Sequence, residues 1–397
     1  LERLFKKSSI SYVRERAALE KNGYRDLPHL ENYLLFVFRR EHTVGSARRI
    51  LGELFEKGEV EFAYFEPIAT NAVTQQRHPH KKKAPLTLAP TPDFMSKQFH
   101  LEAAPTGVDA KFAWTFPGGD GKGLKVIDVE FGWNSSHEDF NEPFFEKNGS
   151  SYVDHGTAVW GEVAAVKDDK GMSGIAYGVE FGVVASEVAA RAYELAASKL
   201  DPGNVMIIEQ HAPGPDSGKY TAMEYWQANF DALKIITAKG IHVVAAAGNG
   251  NSNFDSRAYN GAFDLKIRDS GAILVGAGGP PTGSSHLKRL SFSNYGSRID
   301  AFGYGGSVVT TGYGDLFNGG YNRTYTDSFS GTSSATPIVA GSVLSLLGMA
   351  NAKSLALTPK EVRTLLRETG TAQLGDTSQR IGNLPNLKQL AERIFPN

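Results

Sequence analysis

The sequence predicts an α/β protein, a doubly wound and mostly parallel sheet preceded by a small α+β unit. Three observations lead there. Beyond residue 92, short apolar runs at Lys125–Asp128, Gly182–Ala185, Val205–Ile208, Ile241–Ala246 and Ala272–Val275 read as strands. Helix-compatible stretches at Thr157–Val166, Ser186–Ser198 and Thr221–Lys239 fall between them, and strand–helix alternation is the mark of parallel crossover units. The first 70 residues carry a separate strand–helix–strand pattern, set off by a polar, proline-containing stretch. The expected boundaries are 1–70 for the small unit, 71–92 for a linker and 93–397 for the main domain.

In the small unit, Tyr12–Lys21 is charged and helix-compatible, and Tyr33–Phe38 is a continuous strand-like run. Ile50, Leu51, Leu54 and Phe55 give Ser46–Phe55 a helical period. Glu59–Tyr64 alternates acidic and apolar residues, as a half-buried strand does. The linker holds the basic run Gln75–Lys83, with His78 and His80. It reads as a solvated segment open to proteolytic nicking, without the third ligand that a metal site at the two histidines would need.

Composition narrows the function. A net charge of −1 gives no electrostatic preference for nucleic acid or for a membrane surface. No uninterrupted apolar run approaches the roughly 18 residues expected of a membrane span. The chain has no cysteine, which removes disulfides and thiolate metal sites without choosing a compartment.

Three segments carry chemistry. Phe329–Pro337 places a Gly-Thr-Ser turn directly before the apolar run Ile338–Leu344, so Ser333 sits at a helix start beside free N–H groups that can stabilise an oxyanion. Leu124–Asp128 is a short apolar strand ending in a carboxylate, the end at which open α/β sheets present functional groups. Asp154–Gly161 sets His155 at the start of a helix-compatible run. A hydroxyl nucleophile needs an imidazole to take its proton, and the imidazole needs a carboxylate to fix its tautomer. The order Asp128, His155, Ser333 meets that need, and the absence of a Gly-x-Ser-x-Gly elbow argues against an α/β-hydrolase. Asn249, after the buried-type strand Ile241–Ala247, can add a side-chain amide to the oxyanion site. Each residue alone also fits a structural role as a cap, a turn or a packed histidine.

Taken in order, the Ile-Asp strand end, His-Gly-Thr, Ala-Ala-Gly-Asn and Gly-Thr-Ser-x-Ala-Thr-Pro resemble the subtilisin-like serine proteases, from about Pro92 to the C-terminus. The resemblance implies a secreted, monomeric endopeptidase with Asp128, His155, Ser333 and Asn249 as its catalytic residues and no catalytic cofactor. It implies protein or peptide substrates, with no nucleic-acid or membrane partner. It also implies that the N-terminal unit is an inhibitory prodomain, cut from the zymogen by the enzyme itself. Glu209, Gln210 and His211 would then form one wall of the substrate cleft, and Ala246, Ala247 and Gly248 the other. The family has Ser and Gly where this chain has Glu209 and His211, so a narrower or more polar pocket is expected, with His211 as a candidate partner for Glu209. The loop Val166–Gly174 resembles a calcium-binding loop, with Gln98, Asp139, Val166, Asp168, Lys170 and Met172 as ligands; a plain acidic turn is the alternative. Two other functional readings stay open at this level: a latent protein whose cleft serves recognition only, and a maturation protease for a single peptide.

Overall fold

The computed structural model of the chain describes residues 2–37, 43–56, 58, 60–72, 83–185 and 187–395. They form two compact units, Leu1–Ile68 and Ala69–Asn397.

In the first unit, β1 (Glu2–Arg3) pairs antiparallel with β2 (Leu34–Leu35). Helix α1 (Ser9–Lys21) is capped by Ser8, whose hydroxyl accepts the Ser11 N–H at 3.2 Å. Helix α2 (Val44–Glu56) has Thr43 in the same position, bonding Ser46 N at 3.2 Å. Leu4, Phe5, Tyr12, Leu19, Leu27 and Leu30 are buried, and the Phe5 ring meets Tyr12 and Tyr33 edge-on. Both expected helices are present. The expected strand at Tyr33–Phe38 is reduced to two residues, with Phe38 outside the described set. Glu59 also lies outside it, and Val60–Tyr64 form no strand. Phe62 packs its ring on Tyr33 and Tyr64 instead of taking its place in a sheet.

The second unit begins with β3 (Thr70–Asn71), the short helix α3 (Ala110–Ala113), β4 (Lys125–Glu130) and β5 (Phe145–Lys147). Next come α4 (Val153–Ala164), β6 (Glu180–Ala185), α5 (Ala189–Ala197), β7 (Val205–Ile208), β8 (Gln210–Pro213) and β9 (Tyr220–Ala222). Helix α6 (Gln227–Ala238), β10 (His242–Ala246), β11 (Ile273–Gly278), β12 (Ala301–Tyr304), β13 (Val308–Thr311), β14 (Phe317–Asn318) and β15 (Thr324–Phe329) follow. The chain closes with α7 (Thr332–Ala352), α8 (Pro359–Glu368), β16 (Thr371–Ala372), β17 (Asn383–Leu384) and α9 (Leu387–Ile394).

Among the described residues, nine strands form one sheet in the order β16-β17-β12-β11-β10-β7-β4-β6-β5, parallel except for β16. Every residue of β7, β10 and β11 is buried, so both faces of the sheet are covered. Burying each Val or Ile of these strands contributes about 1.5–3 kcal/mol. Trp160 of α4 is stacked between Phe140 and Phe181, at 4.4 and 4.6 Å, which seats that helix on the sheet. Strand order reverses around β4 and β7, and the carboxyl ends of β4, β7 and β10 open onto a common crevice, the usual ligand position in such sheets.

Helix α7 is long and apolar enough to cross a membrane, yet its apolar window is wholly buried in the protein. Its run is punctuated by hydroxyls that are satisfied locally: Thr336 and Ser342 donate to carbonyls four residues back, and Ser334 donates to Tyr304 O. The stretch expected as a linker is held at both ends. Thr70–Asn71 pairs with β8, while Ala84 N and Thr87 N donate to Gly314 O and Asn318 O. Its centre, with His78 and His80, lies outside the described residues.

Candidate active site

The nucleophile candidate is fixed by a helix start. Gly331, at φ +105°, turns the chain from β15 into α7, a conformation that favours glycine. Ser333 is then the second helical residue, where backbone N–H groups have no intrahelical acceptor. Two of those donors are used in an informative way. Thr332 N donates to Asn249 Oδ1 at 2.9 Å, as does the Thr332 hydroxyl. This pins the Asn249 carbonyl and leaves its NH2 facing the crevice.

That NH2 has a ligand from the chain itself. Asn249 Nδ2 donates to Ala72 O at 2.5 Å, and Ser333 N donates to the same oxygen at 3.3 Å. Ala72 N donates to Glu209 O at 2.8 Å. One residue back, β3 extends along β8 in antiparallel register, Asn71 opposite Gln210 and Thr70 opposite His211. Ala69, Asn71 and Ala72 are buried. Residues 69–72 therefore lie in the cleft as an extended peptide would, with one carbonyl held by two converging donors.

His155 stands in the first turn of α4, 3% exposed, its ring edge against Phe329. Gly156 is required beside it, because a Cβ there would come within 2.5 Å of the Trp133 ring. The carboxylate it meets is not the expected one. Strand β4 runs two residues beyond Asp128, and His155 Nδ1 lies 2.8 Å from Glu130 Oε2. Asp128 instead accepts the Trp133 indole N–H at 2.8 Å. The two carboxyls are two residues apart on one strand and so share a face. Burial and the adjacent Glu130 hold Asp128 well above the usual carboxylate range. Burial also pushes Glu130 up to about 8, against hydrogen bonds from Asp128 and Asn71 that pull it down. Such a pair holds one proton between its members. Burial drives His155 down to about 4, so the imidazole rests neutral. Sequence reasoning missed Glu130; the Asp-Val-Glu alternation on a strand was the signal that could have found it. His155 Nε2 and Ser333 Oγ have no hydrogen-bond partner among the described residues.

Two further buried acids line this region. Glu209, just past β7, and Glu162 of α4 are both fully buried, with no hydrogen-bond partner for either carboxyl oxygen. Burial holds both far above the usual range; for Glu209 the neighbouring Asp128, Glu130 and Glu162 add to it, while the nearby Ser333 hydroxyl draws it down. His211 is not the expected partner of Glu209. Its Nδ1 accepts Asn249 N–H at 3.3 Å and its ring stacks on Tyr220 at 4.0 Å. Burial keeps it neutral, down to about 3. On the far wall, Ala247 O and Gly248 O accept from Asn294, and Ala246 ends β10.

The model of the subtilase family matches residues 92–383. The chain belongs to the subtilase family of serine endopeptidases. Subtilisin Savinase from Lederbergia lenta is 28% identical over 274 residues, covering 65% of this chain and 87% of that protein. Alkaline elastase YaB from Bacillus sp. (strain YaB) is 30% identical over 281 residues, 65% of this chain and 62% of its own. Subtilisin amylosacchariticus from Bacillus subtilis subsp. amylosacchariticus is 26% identical over 364 residues, 86% of this chain and 85% of its own. Among solved structures, a protease from Pseudoalteromonas arctica matches with a TM-score of 0.55 at 21% identity, over 77% of this chain and 99% of that one. Fervidolysin from Fervidobacterium pennivorans matches at 0.54 and 21%, over 72% and 45%. These two likenesses bear on the fold alone.

Subtilases need no cofactor for catalysis. Of the residues expected to bind calcium in this subtilase, the Asp139 and Gln98 side chains are engaged within the protein. Asp139 spends one oxygen on Met172 N–H at 2.9 Å and the other on the Tyr325 hydroxyl at 2.7 Å. Burial also pushes Asp139 up to about 7. The Gln98 amide is consumed by Ser173 N and O. Asp168 closes its own turn onto Lys170 N, the Lys170 ammonium reaches Glu138, and Val166 N donates to Asp139 O. Among the described residues no group of three or more His, Asp or Glu side chains is placed to hold a metal ion.

Proposed function

We propose that this subtilase is a secreted, self-processing endopeptidase that cuts its own chain between Ala72 and Val73. Ser333 Oγ attacks the Ala72 carbonyl while His155 Nε2 takes the hydroxyl proton. Asn249 Nδ2 and Ser333 N–H hold the oxyanion. Glu130, kept in place by its shared proton with Asp128, accepts from His155 Nδ1–H and stabilises the imidazolium. His155 then protonates the Val73 amine as the C–N bond breaks, and water hydrolyses the ester at Ala72. Residues 1–72 leave as the propeptide, and the emptied cleft takes other peptides in the same extended register.

The observation that carries this reading is the Ala72 carbonyl, held by Asn249 at 2.5 Å and Ser333 N at 3.3 Å. Those are the donors an oxyanion at Ala72 would need. Secretion rests on the likeness to the subtilisins. Intact mass followed over time tests the reading: wild type should release a fragment ending at Ala72, and Ser333→Ala should stay whole. Scission at another bond, or equal scission by both proteins, would overturn it.

A further inference from the structure

The oxygen that serves His155 also serves the peptide in the cleft. Asn71 Nδ2 donates to Glu130 Oε2 at 2.8 Å, the same atom that lies 2.8 Å from His155 Nδ1. Asn71 is 1% exposed and its other amide atom, Oδ1, has no partner among the described residues. A buried amide left half-satisfied is costly, so its one bond, to the buried Glu130 carboxyl, must compensate.

We propose that the cleft selects asparagine in the residue before the one that is acylated, and that Glu130 is the selecting group. The proposal rests on the reading above, in which residues 69–72 lie as substrate. It names a substrate class: extended peptides with a short carboxamide side chain followed by alanine at the cut. An aliphatic side chain in that position would leave Glu130 Oε2 without its second donor in a dry site. An aspartate would add a carboxyl to a region that already holds Asp128, Glu130 and Glu209 without a cation. Asparagine reaches Glu130 through a single methylene from a backbone fixed opposite Gln210, so glutamine would overshoot and have to fold back. The selecting contact bears on the group that orients His155, so the mismatch should fall on kcat as well as on KM.

The test uses the full chain. Tetrapeptides Ala-Thr-X-Ala bearing a fluorogenic amide, with X as Asn, Gln, Leu, Lys or Asp, are offered to the protein after incubation. Scission at Ala72 is timed in parallel in Asn71→Leu and Asn71→Asp. Asparagine should give the highest kcat/KM, with leucine roughly ten- to a hundredfold lower for one lost hydrogen bond that leaves a buried acceptor unsatisfied, and aspartate lower still. Asn71→Leu should slow self-cleavage by a similar factor. Equal or better turnover of leucine or lysine peptides would overturn the selection, even while self-cleavage at Ala72 proceeds. Wild type that cleaves the peptides but leaves Ala72–Val73 intact would overturn self-processing, and the peptide series would still decide the selection. A protein inert towards both would overturn both.

Discussion

Arg298 and Glu130 are both fully buried, and the protein treats them in opposite ways. Arg298 donates to both Glu224 oxygens at 2.8 and 3.0 Å, to Asp300 at 2.5 Å and to Ala272 O at 2.8 Å. Asp300 is completed by Arg367 and by Leu274 N–H, and Glu224 by Ser270. Each acid has a cation and each donor an acceptor, and Glu224 and Asp300 push the arginine's pKa up despite burial. Around Glu130 the sign balance is absent. Asp128 and Glu130 lie beside the neutral His155 imidazole, and Glu162 and Glu209 carry carboxyl oxygens with no hydrogen-bond partner among the described residues. Complete pairing is what a structural ion cluster needs to survive in a dry core. Incomplete pairing, with several acids held far from their ordinary pKa, is the condition of a site built to move protons.

The comparison breaks first at the two carboxyls of β4. Glu130→Gln should lower the rate of self-cleavage by about 10⁴-fold with the fold intact, because the imidazole then loses its tautomer control. Asp128→Asn should cost far less, since it only removes the partner with which Glu130 shares a proton. Single-turnover scission at Ala72 measures both. The reverse ranking would return Asp128 to the role first read from the sequence.

Next in size is the structural cluster. Arg298→Met leaves Glu224 buried without its cation and Asp300 with Arg367 alone, and should cost about 3–5 kcal/mol of stability. Urea unfolding should report that loss in a Ser333→Ala background. Self-cleavage in the active background should persist wherever the protein remains folded.

The smallest effect is a pH dependence. The groups facing Glu130 include Asp128 on its own strand, His155 from α4, Asn71 from β3, Glu209 beyond β7 and the partly buried Tyr313. His155 can accept the serine proton only when Nδ1 keeps its own proton and Glu130 is ionised. With Glu130 held up to about 8, self-cleavage should fall about tenfold per pH unit below that value. Stability should run the other way. An ordinary glutamate releases its proton near 4.5, while folded Glu130 keeps it to about 8. The native state therefore binds more protons across that window, and stability declines as pH rises through it. His155, held down to about 4, has the opposite sign, but its contribution is complete above its ordinary value of 6.5. Melting temperatures of Ser333→Ala between pH 6.5 and 8 report the buried carboxyls, and adding Glu130→Gln should reduce the slope by Glu130's share while Asp128, Asp139, Glu162 and Glu209 keep theirs.

Much of this was legible because local pattern and burial coincide. The strands Lys125–Asp128, Val205–Ile208 and Ile241–Ala246 have apolar centres because the sheet is covered on both faces. Ser333 and Asn249 were marked by glycine turns at element ends, and the structure brings both to one carbonyl. The misreadings occurred where pattern needed a neighbour. Val60–Tyr64 alternates like a strand, but no described strand pairs with it, and β-propensity is realised only in a sheet. Thr221 lies within β9 and α6 starts only at Gln227, because β8 offers Thr221 an edge. No sequence motif reveals that Met172 N–H and the Tyr325 hydroxyl both bond Asp139.

The sequence alone determined the α/β layering, the two N-terminal helices, the histidine and serine at helix starts, and the glycines that allow their approach. These follow from periodicity and steric limits within a few residues. Only the tertiary structure decided which of two same-face carboxyls meets His155, because a period of two carries both to one side and the packing of α4 selects between them. It likewise decided that Thr70–Asn71 becomes a strand: two residues have no propensity worth reading until the edge of β8 gives their backbone somewhere to bond, with the next carbonyl, Ala72 O, held by Asn249 and Ser333.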